Sequence, residues 1–407
     1  MSVRSAQVAV TGLGLVTAAG VGTDVAWKAV CGAVPLARTV PELAGLAVDI
    51  ACTVPDFDAV GRLGGPLVRR TDRCCQLILV AAEDAVRDAG LDPGRWDGAR
   101  VAVVVGSAFG GIGTVAAESA KLAAGKNVSA LTIPRFGPNM PAGQLSSLLG
   151  VAGPSLTVCT ACASGGTALA TARGLLLADR CDIVLAGGGD APVNRLVAAS
   201  FARMGALSRR CDDPAGASRP FDAERDGFVL AEGAAMLVLE RSADAVARGA
   251  RPLAEFAGDG ASADAHHFTS PHPDGAGLER AVSAALAEAG AVPDDVDHVN
   301  AHATGTPLGD AAEAVLLGRL FGGRPLITAA KGVLGHAMGA SGAIEAALTV
   351  RAITEGVVPP VANFRRADDG WDLGFVTGRP RPHRTRLALS NSAGFGGQNA
   401  VLAFRPF

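Results

Sequence analysis

The sequence of 407 residues has no tyrosine, few other aromatic residues and almost no net charge. Aromatic residues make up 4% of the chain, and the formal net charge is -3 at pH 7. So small a net charge gives the whole molecule no strong attraction for nucleic acid, and an acidic partner would need a local basic patch. Missing tyrosine together with abundant glycine, alanine and arginine is typical of a GC-rich genome.

Long hydrophobic runs are also missing, although 49% of the residues are hydrophobic. No stretch of about 18 apolar residues escapes a glycine, a charge or a turn signal, so we expect no membrane span and no membrane partner. The amino-terminal segment MSVRSAQVAVTGLG lacks the basic, apolar and cleavage regions of a signal peptide. The sequence therefore predicts a cytoplasmic location.

Signals for a bound cofactor or metal are weak. The segment GLGLVT after the first apolar run lacks the third glycine of a dinucleotide loop, and the chain has neither a GK[ST] nor a GxSxG motif. The eight cysteines are scattered, which suits reduced thiols better than a disulfide framework. Cys159 and Cys162 form a CxxC, which leaves a redox pair or half a zinc site as an alternative, but no second CxxC supports zinc. We expect no metal and no cofactor.

The apolar pattern predicts an α/β protein with buried strands. Between the apolar runs lie helical stretches such as 71–89, where Cys74, Leu77, Ile78 and Ala85 recur at helical spacing. Short runs rich in valine, isoleucine and leucine alternate with glycine-rich turns. These predicted strands are Val8 to Val10, Val101 to Val105, Leu156 to Val158, Ile183 to Leu185, Ala235 to Leu239, Val296 to Val299, Leu326 to Thr328, Leu387 to Leu389 and Val401 to Phe404.

Two similar segments of the sequence, together called the echo, indicate a duplication. The segment ASGGTALATARGLLLA from Ala163 resembles ASGAIEAALTVRAIT from Ala340, and each follows a short predicted strand through a turn. Small residues at both helix starts suit two helices whose amino-terminal ends pack closely. We therefore predict two related halves, residues 1–251 and 252–407.

Cys162 is the first candidate for chemistry. It stands in Thr-Ala-Cys-Ala-Ser-Gly, directly after a predicted strand and directly before a predicted helix. The unpaired N–H groups at a helix start lower the pKa of a thiol, so the position predicts a reactive thiolate. The alternative is a buried structural cysteine, because most free cysteines are simply part of the protein core.

Two histidines in turns of small residues are the next candidates. His302 lies in NAHATGTPLGD after a predicted strand, where an imidazole can point into a cavity. His336 lies in KGVLGHAMGA, just before the second echo helix. If the echo helices pack together, His336 approaches Cys162.

These three motifs, in this order and spacing, resemble those of the β-ketoacyl synthases, the condensing enzymes of the thiolase superfamily. The resemblance extends over nearly the whole chain and includes VTGLGLVT, SRPFDAERDGFVLAEG, DAHHFTSP and SNSAGFGGQN. It implies a thiolase-like fold, with two duplicated half-domains in a five-layered αβαβα arrangement, the first half carrying the cysteine and the second the histidine pair.

The resemblance also implies roles for individual residues. Cys162 would be acylated, His302 and His336 would form the histidine pair, and Lys331 would support them electrostatically. Phe395 would lie on a gating loop and share an oxyanion hole with the backbone of Cys162. Glu345 matches the acidic partner of the lysine, although a surface charge on a helix would look the same. The further residues implied are Asp310 and Glu313 as supports, Phe109, Phe201, Thr304 and Thr306 around the substrate, and Arg69, Arg70, Arg73, Arg203 and Arg209 for docking an acidic carrier protein.

Some positions depart from the family pattern. Gly332 replaces a frequent serine, Ala231 replaces a glycine, and Ala393 replaces a phenylalanine before the gate. Phe109 matches a position that, in relatives, lines the acyl pocket at the dimer interface with smaller residues. Its bulky ring would shorten the cavity and favour short or kinked primers over long saturated ones.

The activity implied is a decarboxylative Claisen condensation of malonyl carrier protein with a Cys162-bound acyl chain. The substrates would be bound as thioesters to the phosphopantetheine of an acyl carrier protein. The departures favour polyketide over fatty acid synthesis, and the partner would be a second copy or a similar chain-length-factor subunit. Two alternatives stay open, a nondecarboxylating acyltransferase and a noncatalytic partner subunit of the chain-length-factor kind. The intact cysteine and both histidines argue against them.

Overall fold

The computed structural model describes residues 7–407. Residues 1–6, which are part of the segment compared above with a signal peptide, lie outside the described residues. Within 7–407, no helix has the length and apolar character needed to cross a membrane.

Sixteen strands are formed in the described residues; β1 and β5 are buried along their whole length, and the other longer strands are buried over at least half of theirs. The strands are β1 (Val8–Thr17), β2 (Gly20–Val21), β3 (Arg38–Thr39), β4 (Ile50–Ala51), β5 (Val101–Gly106), β6 (Ser155–Val158), β7 (Ile183–Asp190), β8 (Gly233–Arg241), β9 (Ala254–Ala263), β10 (His298–Asn300), β11 (Leu326–Thr328), β12 (Val357–Val358), β13 (Gly374–Phe375), β14 (Arg381–Pro382), β15 (Ala388–Gly394) and β16 (Gln398–Arg405).

Fourteen α-helices alternate with these strands over the same residues. The helices are α1 (Thr23–Cys31), α2 (Ala59–Leu63), α3 (Gly65–Arg70), α4 (Arg73–Asp88), α5 (Ile112–Ala123), α6 (Thr132–Phe136), α7 (Met140–Leu149), α8 (Ser164–Leu177), α9 (Arg195–Met204), α10 (Ser242–Ala247), α11 (Ala276–Ala289), α12 (Pro307–Phe321), α13 (Lys331–Leu334) and α14 (Ser341–Glu355).

The sheet topology shows the duplication directly. In the first half the strands follow the order β1-β8-β7-β5-β6, with β1, β8 and β7 antiparallel and β7, β5 and β6 parallel. In the second half β9-β16-β15-β10-β11 repeats that order and the same directions. A short antiparallel pairing of β1 with β9 joins the two halves.

Helices separate the sheets into layers. The echo helices α8 and α14 pack on each other and on strands of both halves, so they form the central layer. Helix α4 covers the outer face of the first half, and α11 covers β9 and β16 in the second. The predicted α/β fold with five αβαβα layers is therefore confirmed.

Most of the strand predictions from the sequence were right in position but short, whereas Leu326 to Thr328 matches β11 and Val296 to Val299 begins two residues before β10. The run Val8 to Val10 extends to Thr17, and Ile183 to Leu185 extends through three glycines to Asp190. Strand β9 was missed because its sequence, AEFAGDGASA, has few β-branched residues. It forms because both of its edges are paired, with β1 on one side and β16 on the other.

Close contact between α8 and α14 depends on glycine and alanine. A Cβ added at Gly165 would lie 2.7 Å from the backbone nitrogen of Ala343 and 2.9 Å from the carbonyl oxygen of Gly339. A Cβ added at Gly342 would lie 2.8 Å from the nitrogen of Gly166. The two backbones therefore touch at the amino-terminal ends of the helices, as the echo predicts.

Because a backbone cannot move aside as a side chain can, we expect Gly165→Ala to lower the free energy of unfolding by about 1–3 kcal/mol. Gly174→Ala in the same helix is the matched control, since a Cβ there would meet nothing within 4 Å. Replacing an exposed helical glycine should instead stabilise by about 0.5–1 kcal/mol. Urea unfolding followed by tryptophan fluorescence measures both, and equal stability of the two variants would contradict the close contact.

Candidate active site

One cavity of about 380 Å³ gathers the three predicted motifs. Cys162, His302, His336 and Phe395 all line it. The cysteine comes from the first half of the chain, and the other three come from the second. The structure thus places together side chains that lie more than half the sequence apart, as Cys162 and Phe395 do.

The turn that carries Cys162 is tight and well bonded. Ala161 has a φ of 49°, a left-handed conformation that a residue with a side chain adopts only when its surroundings hold it there. The hydroxyl of Ser164 donates to the carbonyl of Ala161 at 2.6 Å and accepts the N–H of Thr160 at 2.9 Å. These bonds fix the sulfur between β6 and the start of α8.

The predicted low pKa of Cys162 is wrong. Burial raises the pKa of the thiol to about 11, while the positive charge of Lys331 and the backbone N–H groups of Phe395 and Cys162 act in the opposite direction. Removal of the sulfur from bulk water is the largest of these effects. The resting group is therefore a thiol. The two N–H groups beside it are those that the resemblance assigns to an oxyanion hole.

The loop that carries His302 is held by two buried carboxylates of α12. Glu313 accepts the backbone N–H of His302 at 2.9 Å and that of Ala303 at 2.8 Å. Asp310 accepts the N–H of Phe221 at 2.7 Å and that of Gly305 at 3.1 Å. Burial raises the pKa of Asp310 to about 7. Both residues thus support the loop, as the resemblance implied.

His336 is anchored through its backbone and through its ring. Its N–H donates to the carbonyl of Val229 at 2.8 Å, and its carbonyl accepts the N–H of Ala231 at 3.0 Å. Its Nδ1 lies 2.9 Å from the hydroxyl of Ser341. The ring centroids of His302 and His336 are 5.6 Å apart, with the planes at 85°.

A buried ion pair lies behind the histidines. The ammonium of Lys331 bonds the carboxylate of Glu345 and the carbonyl oxygen of His302, the latter at 2.6 Å, and lies 3.4 Å from Nδ1 of that ring. Each side chain of the pair is only 2% exposed. The alternative of a surface charge for Glu345 is therefore wrong.

The histidines are neutral for a physical reason. Burial, and then the positive charge of Lys331, hold the pKa of His302 and of His336 well below the usual range. A neutral imidazole keeps one N–H to donate and one bare nitrogen. Both rings can therefore donate a hydrogen bond into the cavity at neutral pH.

Aromatic rings form one wall of the cavity. Phe201 packs against Phe228, Phe109 and Phe395, with ring centroids 5.3, 6.2 and 6.4 Å away. Phe201 lines the cavity, as do Thr304 and Thr306, but Phe109 does not. The expectation that Phe109 lines the pocket is corrected: its ring stands behind Phe201. Whether it shortens the acyl site stays a prediction.

Comparison with known families agrees with this geometry. Residues 5–245 match the β-ketoacyl synthase N-terminal domain, and residues 253–365 match the β-ketoacyl synthase C-terminal domain. The chain belongs to the β-ketoacyl synthase family. A curated relative, 3-oxoacyl-[acyl-carrier-protein] synthase 2 of Synechocystis sp., is 37% identical over 410 residues. The alignment covers 98% of this chain and 98% of the relative.

Solved structures share the fold over its full length. The ishigamide ketosynthase/chain length factor superposes with a TM-score of 0.93 at 32% identity, over 99% of this chain and 100% of that one. A ketosynthase complex of a type II polyketide synthase, with its acyl-carrier protein and a bound hexaketide, gives a TM-score of 0.90 at 29% identity, with the same coverage. The thiolase-like fold is thus confirmed, and the chain is an acyltransferase of the β-ketoacyl-carrier-protein synthase type.

The departures from the family pattern lie close to the site. Ala393 lines the cavity, two residues before Phe395. Ala231 bonds the backbone of His336, as described above. A Cβ at Gly332 would lie 3.1 Å from the carbonyl of Ala362 and 3.2 Å from the side chain of Pro220, so little room exists there for a serine.

The arginines predicted to dock a carrier protein differ in their surroundings. Arg69, Arg70, Arg203 and Arg209 are exposed. Arg203 directly precedes Met204 and Gly205, which line the cavity. Arg73, by contrast, bonds Glu232 through two nitrogen atoms, each at 2.7 Å. Its guanidinium is thus paired within the protein, although the side chain is 42% exposed, and docking by these five arginines stays a prediction.

Several residues of the site were missed by sequence reasoning. Asp190 at the end of β7 accepts the N–H groups of Ala108, Phe109 and Gly339, and so ties the turn before α14 to the first half. The run GGGD at the end of an apolar segment was the available signal. Ser341 gave no separate signal. Within residues 7–407, no cluster of three or more histidine, cysteine, aspartate or glutamate side chains could hold a metal ion.

The raised pKa of Cys162 predicts slow alkylation at neutral pH. In a Cys159→Ala background, which removes the exposed neighbouring thiol, iodoacetamide labelling of Cys162 should accelerate about tenfold per pH unit from pH 7 towards pH 10, because only the thiolate reacts. Mass spectrometry of the peptide measures the rate, with Cys162→Ser as the blank. A plateau below pH 9 would show instead that the thiolate predominates near neutrality.

Proposed function

We propose that the protein catalyses decarboxylative condensation of malonyl carrier protein with an acyl chain bound to Cys162. The observation that carries the proposal is a thiol and two neutral imidazoles facing one cavity, with ring centroids 5.6 Å apart. Neither ring can serve as a cation at neutral pH, so each is suited to donate a hydrogen bond. No resident cofactor takes part, and the substrates are carried on phosphopantetheine.

In the first step the sulfur of Cys162 attacks the thioester of an acyl carrier. A new carbon–sulfur bond forms on the enzyme, the carrier thiol leaves, and the thiol proton is transferred to that leaving sulfur. Because the resting cysteine is a thiol, its proton must leave during attack, and the departing carrier sulfur takes it up. The N–H groups of Cys162 and Phe395 stabilise the charge on the attacked carbonyl oxygen.

In the second step malonyl thioester loses carbon dioxide. The electron pair of the broken carbon–carbon bond moves into the thioester, and negative charge builds on its oxygen. His302 and His336 donate N–H to that oxygen and stabilise the enolate, which then attacks the acyl carbonyl. The carbon–sulfur bond breaks, and Cys162 leaves as a thiolate that takes a proton from water to return to the thiol. Lys331 keeps both rings neutral and adds a positive potential, while Glu345 compensates its charge.

The alternatives lack support in the site. A thiolase-like acyltransferase would need a second cysteine near the carboxyl end, and the last cysteine of the chain is Cys211. A noncatalytic chain-length partner would have no use for an intact thiol beside two histidines. The condensing role fits every group that lines the inner cavity.

Polyketide synthesis is the pathway that we propose. Of the two solved structures described above, one is a type II polyketide synthase complex and the other is a ketosynthase/chain length factor, and Ala393 departs from the family at the gate. The identity to a 3-oxoacyl-[acyl-carrier-protein] synthase of 37% supports the shared condensation chemistry in either pathway.

We further propose that a second chain of the same fold pairs along β6. This strand is an edge of the sheet, and exposed hydrophobic side chains lie on it, on α7, which packs against it, and on the preceding segment from α5 to α6. Unpaired edge strands and exposed apolar patches favour association. The partner is a second copy or a chain-length-factor subunit. The exposed side chains are Leu122, Leu131, Ile133, Leu148 and Leu156.

The test of the function is release of labelled carbon dioxide from malonyl carrier protein. Removal of one hydrogen-bond donor to a developing oxyanion costs about 100-fold or more in rate, so His302→Ala and His336→Ala should each lose at least that. His383→Ala, a surface histidine outside the cavity lining, is the control. Rates that match the wild type in both cavity variants, or bond formation by Cys162→Ser, would reject the proposal.

Docking of an acidic carrier predicts an effect of charge at the mouth of the cavity. Arg203→Glu should weaken carrier binding about tenfold at low ionic strength, and the difference should shrink in high salt because the charges are exposed. Arg180→Glu makes the same charge change beyond the far end of α8, roughly 20 Å along the helix from the Cys162 turn. Calorimetric titration that finds both variants equally weakened would refute docking at this face.

A further inference from the structure

Ser341, the first residue of α14, places its hydroxyl against a ring of the active site. Its Oγ lies 2.9 Å from Nδ1 of His336. Ser341 is 3% exposed and His336 is 2% exposed. The contact is therefore sealed inside the protein, away from bulk water.

The duplicated helix offers an internal comparison. Ser164 occupies the matching position at the start of α8, and its hydroxyl is used locally, in the two bonds to the Cys162 turn described above. For Ser341, His336 Nδ1 is the hydrogen-bond partner found among residues 7–407. The serine at this helix position therefore bonds backbone groups in the first half of the chain and a histidine ring in the second.

Hydrogen-bond satisfaction decides which group donates. If Nδ1 carried the proton, the hydroxyl would accept it, and the hydroxyl's own proton would be left buried without an acceptor. If Nδ1 is bare, the hydroxyl donates and both groups are satisfied. Buried polar groups that lack partners are strongly disfavoured, so the second arrangement is preferred. The single ring proton then resides on Nε2.

We propose that Ser341 is a positioning residue for decarboxylation: its hydroxyl donates to Nδ1 of His336 and so keeps the Nε2–H available to the malonyl thioester oxygen. The inference rests on the proposed function, because this tautomer matters only if that oxygen binds there. His302 has the same arrangement with a different donor. The ammonium of Lys331, which has protons and no lone pair, lies 3.4 Å from its Nδ1.

The kinetic test compares two steps of the reaction. In Ser341→Ala, kcat for carbon dioxide release from malonyl carrier should fall about tenfold, the worth of one ordinary hydrogen bond, with KM unchanged. Acyl loading of Cys162 should stay at the wild-type rate. Ser341→Thr retains the hydroxyl and should restore kcat.

Thr349→Val is the matched control for the loss of a buried hydroxyl from α14. Thr349 is fully buried and its hydroxyl donates to the carbonyl of Glu345 at 2.8 Å, two turns along the helix from Ser341. We expect carbon dioxide release to stay within about twofold of wild type. A tenfold loss in Thr349→Val as well, or no rescue by threonine, would mean that the serine has a merely structural role.

A spectroscopic test needs no activity. In protein labelled with ¹⁵N-histidine, the ring nitrogens of His336, assigned by their loss in His336→Gln, should show the Nε2–H tautomer in the wild type. In Ser341→Ala they should move towards a mixture of both tautomers. A wild-type ring protonated on Nδ1 overturns the proposal however the variants fold.

The outcomes separate the two proposals. If the wild type releases no carbon dioxide from malonyl carrier but His336 has the Nε2–H tautomer, which is lost in Ser341→Ala, the proposed function fails and the orienting role of Ser341 stands. If the wild type is active and Ser341→Ala matches it in rate and tautomer, the function stands and the positioning role fails.

Discussion

The contact between the backbones of α8 and α14 is the constraint on which the active site depends. Cys162 precedes one of these helices and His336 precedes the other, so their approach is set by how closely the helices pack. Glycine at positions 165 and 342 removes the Cβ atoms that would hold them apart. The catalytic geometry is therefore a product of the central layer of the fold, and the surrounding loops refine it.

A single buried cation organises the electrostatics of this site. Lys331 sits between a carboxylate and an imidazole, and its charge disfavours protonation of both histidines. The same charge opposes, without overcoming, the effect of burial on Cys162. The site thus holds neutral acids and bases around one compensated ion pair, which suits a reaction in which negative charge appears only transiently.

Sequence patterns predicted which residues lie in the site better than they predicted the protonation and orientation of those residues. Cys162, His302 and His336 could be found because each follows a short strand in a turn of small residues, and the pairing of Glu345 with Lys331 followed from resemblance. The pKa of the thiol could not be predicted, since the helix start is visible locally while burial comes from distant segments such as the Phe395 loop. The orientation of the Ser341 hydroxyl and the position of Phe109 behind Phe201 likewise depend on packing between halves.

Strand β15 ends against the turn that carries Cys162. A Cβ at Gly394 would lie 2.6 Å from the carbonyl oxygen of Thr160 and 3.2 Å from the nitrogen of Cys162. Main chain touches main chain there, so neither segment can shift without the other. Substitutions that change the space beside the sulfur must therefore act through side chains further along the loop, because a side chain at position 394 would displace the turn itself.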